Sequence, residues 1–251
     1  MQKSFSAKAC AKIIIAGEHA VVYGKPAVIA PIKLFATCTI TPIEGDIIQI
    51  SSSILPQPMT FGLGEVFPNN NTDSLHMDDK LKLIVYALRS VTEHFKVRPK
   101  NGFVLMINSE IPVGGFGSST AVCTAIVKAY AKFLDLNPSL DDIFNLVMEI
   151  EEKFQGYWPS GADQAAIVYE KFIKFQKGNA GNSVEILNDL SQDILANCLV
   201  IQSGRPIMKT GDVVLAVKSA FKQDHDKCSS IIDRIETVSY THLTLPTIYS
   251  V

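Results

Sequence analysis

Hydrophobic and polar positions change period several times along the chain, and each change marks a predicted element. "SAKACAKIIIAGEHAVVYGKPAVIAPI" carries small and β-branched residues, a glycine-bounded charged turn and a second apolar run, which predicts two strands joined by a charged loop. "FATCTITPIEGDIIQIS" alternates about Glu44-Gly45-Asp46 and predicts a hairpin. Ser51 to Asp79, with "NNNTDS" and three prolines, reads as a long surface loop able to close over a substrate. From Asp79 to Phe95, residues Leu81, Ile84, Val85, Leu88 and Val91 fall on one helical face. A strand over Gly102–Asn108, a helix from about Ser118 to Leu134, and a helix from the cap-like Ser139 to about Phe154 come next. "GYWPSGADQAAIVY" predicts a tight turn and a short helix.

Beyond Tyr169 the pattern shifts to a hairpin ("EKFIKFQKG" and "VEILN"), a strand ("CLVIQS") and a helix over Thr210–Lys222. A second domain is therefore expected to begin between Gly156 and Lys177. No internal repeat or heptad is present. The helix "KCSSIIDRIE" is expected to stop abruptly, because "VSYTHLTLPT" continues neither a helix nor a core-facing strand. That string back-translates to GTC TCT TAT ACA CAT CTG ACG CTG CCG ACG, the read-through of a transposon adapter used in sequencing libraries. Residues 238–251 are read as non-native on that basis, with the natural sequence cut off near Thr237 where the DNA read ended.

Composition narrows the classes. At 251 residues and 47% hydrophobic, the chain can bury one large core or two smaller ones. A net charge of −2 without a dense Lys/Arg block argues against nucleic acid and against a membrane-surface patch. Five scattered cysteines, odd in number and without a CxxC pair, read as reduced thiols of a cytoplasmic protein. The first apolar run, Ile13 to Gly17, ends at Glu18 and His19, too short for a signal peptide or a span.

The candidate chemistry centres on "IPVGGFGSSTA", between a predicted strand and a predicted helix. Gly114, Gly115 and Gly117 can take positive φ and bring backbone N–H groups to an anion at a helix N-terminus, while Ser118 and Ser119 offer hydroxyls. By itself the turn divides evenly between a phosphate cradle and a tight turn with a serine cap. It is neither a Walker A loop nor a GxGxxG loop. Lys12, Glu18 and His19 surround one early turn, and Asp163 follows Glu152 by eleven residues across "PSG". A hydroxyl and a carboxylate suit Mg²⁺, and a carboxylate near a lysine suits activation of an attacking hydroxyl.

"GEHAVVYG", "IPVGGFGSSTA" and "PSGADQ", in this order and spacing, resemble signature regions of the GHMP small-molecule kinases, and "GEHAVVYG" is most similar to the mevalonate kinases among them. The resemblance runs from about Ser6 to Thr237. It implies an α+β fold of two domains: an N-terminal nucleotide-binding α/β domain over 1–170, and an incomplete ferredoxin-like C-terminal domain over 171–237. It implies that Gly114, Gly115, Gly117 and Ser118 hold the phosphates of ATP, that Ser119 and Glu152 bind Mg²⁺, and that Asp163 is the catalytic carboxylate paired with Lys12. Glu18, His19 and Ser160 would line the pocket of a small-molecule substrate, mevalonate, phosphorylated in isoprenoid synthesis. Homodimers occur in the family, so one is admitted here. Phosphomevalonate or a sugar as acceptor, and a non-catalytic ligand-binding relative, are the alternatives.

Five positions depart from the family pattern. "APGK" is Ala9-Cys10-Ala11-Lys12, Phe116 stands for leucine or methionine, Thr120 for a smaller residue, and Gln164 for asparagine, as in galactokinase-like members. The family's C-terminal glycine-rich signature is absent, which the truncation explains, and a weakly active or inactive chain is expected as written.

Overall fold

A computed structural model describes residues 3–53, 55, 57–68, 77, 79–112, 114–156, 159–178, 181–188, 198–201, 204 and 210–244. The long strand β2 (Pro26–Pro42) organises the sheet. Strand β1 (Phe5–Ala16) lies antiparallel along one side of it. On the other side β5 (Phe103–Ser109) pairs with residues 36–42 and β6 (Ile173–Gln176) with residues 26–29. Strands β3 (Ile47–Ser52), β4 (Met59–Gly62) and β7 (Ser183–Ile186) complete the order β4-β3-β5-β2-β6-β7, with β1 attached to β2.

Among the described residues only β3 and β5 run parallel, so the sheet is mixed and the fold is α+β. One face is buried, the other partly open: Ile48 and Ile50 are fully buried while Ile47 of β3 and Met106 of β5 are exposed. That alternation is what a sheet covered on one side requires. The cover is α2 (Asp79–Phe95), α3 (Ser118–Phe133) and α4 (Leu140–Gln155). All five apolar positions of the expected α2 stripe are buried. Helix α4 starts at Ser139, whose hydroxyl accepts the Asp142 N–H while Asp142 accepts the Ser139 N–H, a reciprocal capping box.

Four expectations need correction. Residues 35–51 are not a hairpin, because β2 and β3 do not pair; β5 lies between them. Alternation marks a strand but not its partner, and β5 buries Phe103, Leu105 and Ile107 by entering there. The segment 51–79 is not wholly irregular. It contains β4 and the short helix α1 (Leu63–Val66), anchored by buried Leu55, Val66 and Phe67, whereas "NNNTDS" lies outside the described residues. Residues 198–201 form no strand, and Leu199 and Ile201 are exposed at 84% and 76%. An apolar run becomes a strand only beside an edge that takes its backbone groups. Finally, the last helix does not stop at Glu236: α7 (His225–Thr244) continues, with no glycine or proline to break it before Pro246.

The hairpin β6–β7, the short helix α5 (Ala162–Tyr169) and the helix α6 (Thr210–Gln223) form as expected. Because β6 pairs with β2, the sheet includes residues on both sides of position 170. All five cysteines are free. Among the described residues no helix is long and apolar enough to cross a membrane.

Candidate active site

Strand β1 delivers Lys12 to the site through an irregular stretch. Its register with β2 shifts between Cys10 and Ala11 and again between Ile14 and Ala16, bracketing Lys12. Bulges of this kind re-aim side chains. The Lys12 N–H leaves the strand ladder and donates to Phe116 O at 3.0 Å, tying β1 to the glycine turn. The Lys12 side chain is buried, and its Nζ lies 2.7 Å from Asp163 Oδ1. Burying an ammonium is costly without such a partner. Asp163 keeps 34% of its side chain exposed, so the pair is closed on the lysine side and open on the carboxylate side.

The glycine turn lies directly on this pair. Gly114, Gly115 and Gly117 have φ of 110°, 77° and 70°, all in the region that favours glycine. A Cβ at Gly117 would sit 2.7 Å from Ile167 Cδ1 and 3.1 Å from Lys12 Cγ. The turn therefore packs against the stem of Lys12 and against α5, the helix that carries Asp163. The serine-cap reading fails, because the N-cap of α3 is Gly117 itself and no side chain bonds there. Ser118 and Ser119 are the first two helical residues, and the Ser119 Oγ is buried with no hydrogen-bond partner. An orphaned buried hydroxyl at a helix start is costly unless something else satisfies it.

Glu152 is half-buried in the last turn of α4. Among the described residues no three His, Cys, Asp or Glu side chains gather as a metal cluster. One hydroxyl and one carboxylate still fit Mg²⁺, which takes few protein ligands and keeps waters and phosphate oxygens. Glu18 is exposed and His19 half-buried in the β1–β2 loop. His19 has a φ of 60°, a strained value for a histidine, and its carbonyl accepts the Val22 N–H. Among the described residues no hydrogen bond or ion pair joins Glu18 or His19 to Lys12 or Asp163. Ser160 serves the turn before α5: its Oγ accepts the Ala162 N–H at 3.3 Å and its carbonyl accepts Asn182 Nδ2 at 2.8 Å.

Three residues that the sequence did not assign to the site form a buried network beside the pair. Glu151, 1% exposed, accepts a 2.6 Å hydrogen bond from Thr120 Oγ1 on one oxygen and a bond from Gln164 Nε2 on the other. Burial pushes the Glu151 carboxyl up to about 7, against the two hydrogen bonds that favour its ionised form. A signal was available. Glu151 follows Val147 by four and Ile143 by eight, on the apolar stripe of α4, whereas Glu152 lies beside that stripe. The network also accounts for two of the unusual letters: Thr120 and Gln164 turn inward to Glu151. Phe116 packs its ring on the core while its carbonyl receives Lys12.

The β1–β2 loop is clamped from outside. Lys25 Nζ lies 2.7 Å from both Asp233 Oδ1 and Glu236 Oε2 of α7, and Tyr23 stacks on Phe221 with ring centroids 4.3 Å apart. A cleft of about 430 Å³ lies between Ile15, Ala16 and Gly17 on one side and Ile231, Arg234, Ile235 and Val238 on the other.

Residues 82–171 match the model for the GHMP kinases N terminal domain. The mevalonate kinase of Methanocaldococcus jannaschii is 27% identical over 230 residues, which is 89% of this chain and 69% of that protein. The mevalonate kinase of Thermococcus onnurineus is 34% identical over 177 residues, covering 69% of this chain. The chain spans only 52% of that relative's length. The crystal structure of the Methanococcus jannaschii mevalonate kinase superposes with a TM-score of 0.82 and 25% identity, over 96% of this chain and 73% of that one.

Proposed function

We propose, for a chain that belongs to the GHMP superfamily of kinases and is similar to its mevalonate kinases, that it transfers the γ-phosphoryl group of ATP to the 5-hydroxyl of mevalonate. The observation that carries the reading is the Lys12–Asp163 pair held against the glycine turn. Asp163 presents a part-exposed carboxylate to accept the proton of the attacking hydroxyl. Lys12 fixes that carboxylate and opposes the negative charge that grows on the attacking oxygen. The N–H groups at Gly114, Gly115, Gly117 and Ser118 face the phosphates, at the positive end of α3. Ser119 and Glu152 would hold Mg²⁺, which when bound neutralises phosphate charge.

Glu18, His19 and Ser160 belong to the acceptor side, His19 donating towards the acid group of the substrate. Two observations favour mevalonate over the alternatives. Gln164, the galactokinase-like letter, is buried and engaged with Glu151, so it does not report on the acceptor. Lys25, a candidate for a second phosphate, is engaged by Asp233 and Glu236. The test is an acceptor panel of mevalonate, phosphomevalonate, galactose and homoserine with ATP and Mg²⁺. Transfer to mevalonate above the others is expected; transfer to a sugar and not to mevalonate overturns the reading.

A further inference from the structure

We propose that the Thr120–Glu151–Gln164 network is a positioning device that sets Asp163 against Lys12 and fixes the start of α3 relative to the start of α5. The inference rests on the reading of Lys12 and Asp163 as the catalytic pair. Glu151 stands on α4, Thr120 in the first turn of α3 directly after Ser119, and Gln164 in the first turn of α5 directly after Asp163. One carboxylate thus links the segment bearing the candidate phosphate and metal groups to the segment bearing the candidate base.

Helix α5 needs such a link. It has eight residues, fewer than a helix requires to hold itself in water. Its N-cap, Gly161, is at a φ of 90° and supplies no side-chain cap. Gln164 to Val168 are all buried, and apart from Gln164 they are apolar, which fixes depth but supplies no directional bond. A directional bond from Gln164 supplies the rotation, and a small rotation moves the Asp163 carboxylate relative to its neighbours. Glu151 is met by two neutral donors, with the Lys12–Asp163 pair as the charged groups nearby. That arrangement serves geometry more than charge: both donors are neutral, and losing the carboxylate alone leaves Thr120 and Gln164 buried without their acceptor.

The two oxygens of Glu151 also explain why an amide can stand in. In Glu151→Gln the carbonyl oxygen still accepts from Thr120, and the amide nitrogen donates to Gln164 after that amide turns over. In Glu151→Leu both bonds are lost at similar volume.

The experiment compares Glu151→Gln, Glu151→Leu and Thr120→Val with the unmodified chain, each alone and with Asp163→Asn. Mevalonate and ATP-Mg²⁺ serve as substrates, thermal unfolding verifies folding, and amide exchange is followed at 162–165. In Glu151→Leu, kcat falls by about 100-fold, the cost of a reacting group displaced by about 1 Å, with the KM for ATP within about twofold. Glu151→Gln stays within about threefold of wild type in kcat. Exchange at 162–165 quickens in Glu151→Leu and not in Glu151→Gln. In the Asp163→Asn background, Glu151→Leu causes no further loss. If Glu151→Leu does not fold, Thr120→Val decides: a lowered kcat at unchanged KM supports the device, and wild-type kcat refutes it. A folded Glu151→Leu with wild-type kcat and exchange, or an undiminished loss on top of Asp163→Asn, overturns the proposal. Wild-type activity in Asp163→Asn alone instead overturns the catalytic reading beneath it.

Discussion

Gly117→Ala probes the closest approach in the site. At a φ of 70° an alanine adopts the left-handed region at about 1–2 kcal/mol. Its Cβ also meets Ile167 Cδ1 at 2.7 Å and Lys12 Cγ at 3.1 Å. Both neighbours are buried, so relief by moving them is limited, and overpacking adds about 1–3 kcal/mol. The expected loss is about 2–5 kcal/mol. Gly115→Ala is the control: its φ is 77°, but nothing lies within 4 Å of the added Cβ. It should lose only the backbone part, about 1–2 kcal/mol.

Denaturant titrations at constant m give both values, and the difference between them isolates the contact with Lys12 and α5. Calorimetry should place the Tm of Gly117→Ala below that of Gly115→Ala by about 2–4 °C per kcal/mol of difference. A double substitution sharpens the test. Ile167→Val removes the offending methyl, so combined with Gly117→Ala it should cost less than the sum of the two single changes. Equal losses at 115 and 117, or strict additivity of the double, would refute the packing of the turn on Lys12 and Ile167.

Other consequences are checked by the same unfolding measurements. Asp163→Ala leaves the buried Lys12 ammonium without its partner and should cost about 3–5 kcal/mol, part of which Lys12→Met restores in the double variant. Gly17→Ala directs a Cβ into Pro26 O and to 2.6 Å from Ala27 Cα, backbone against which nothing can yield, and should cost at least about 3 kcal/mol. Ser139→Ala removes the α4 cap at about 1 kcal/mol. The same hydroxyl and N–H hold the Asp142 carboxyl below its usual range, so this stabilisation is present above the unfolded carboxyl's pKa and is lost as pH falls through the folded one. The gap between wild type and Ser139→Ala should therefore narrow on acidification, and a constant gap would contradict the capping box.

Local periodicity made α2 and α4 legible, because Leu81 to Val91 and the Ser139 cap act within one or two turns. The glycine turn, Lys12 and Asp163 were legible as residue types. Local pattern does not show their convergence, since it depends on β1 lying beside α3 and α5 across more than a hundred positions; the Lys12–Asp163 pairing is implied by the family resemblance alone. The hairpin expected over 35–51 failed for the same reason: β5 enters from a distant part of the chain, and alternation says nothing about who pairs with whom. Glu151 and Glu152 look alike as letters, but a helix separates adjacent residues by about 100°, and only the stripe from Ile143 to Ile150 shows that Glu151 points inward. Thr120 and Gln164 are far apart in sequence, and what relates them is the one carboxylate that both engage.

The proposed phosphoryl transfer from ATP to mevalonate, with Asp163 as the base, can be followed directly. The most direct measurement incubates the protein at stoichiometric concentration with γ-labelled ATP, Mg²⁺ and mevalonate, and follows the label by mass spectrometry beside Asp163→Asn. The expected result is label on mevalonate with the wild-type chain and at least a hundredfold less with Asp163→Asn, about the low end of what a positioned base contributes. No label on mevalonate, or equal labelling by Asp163→Asn, would contradict it.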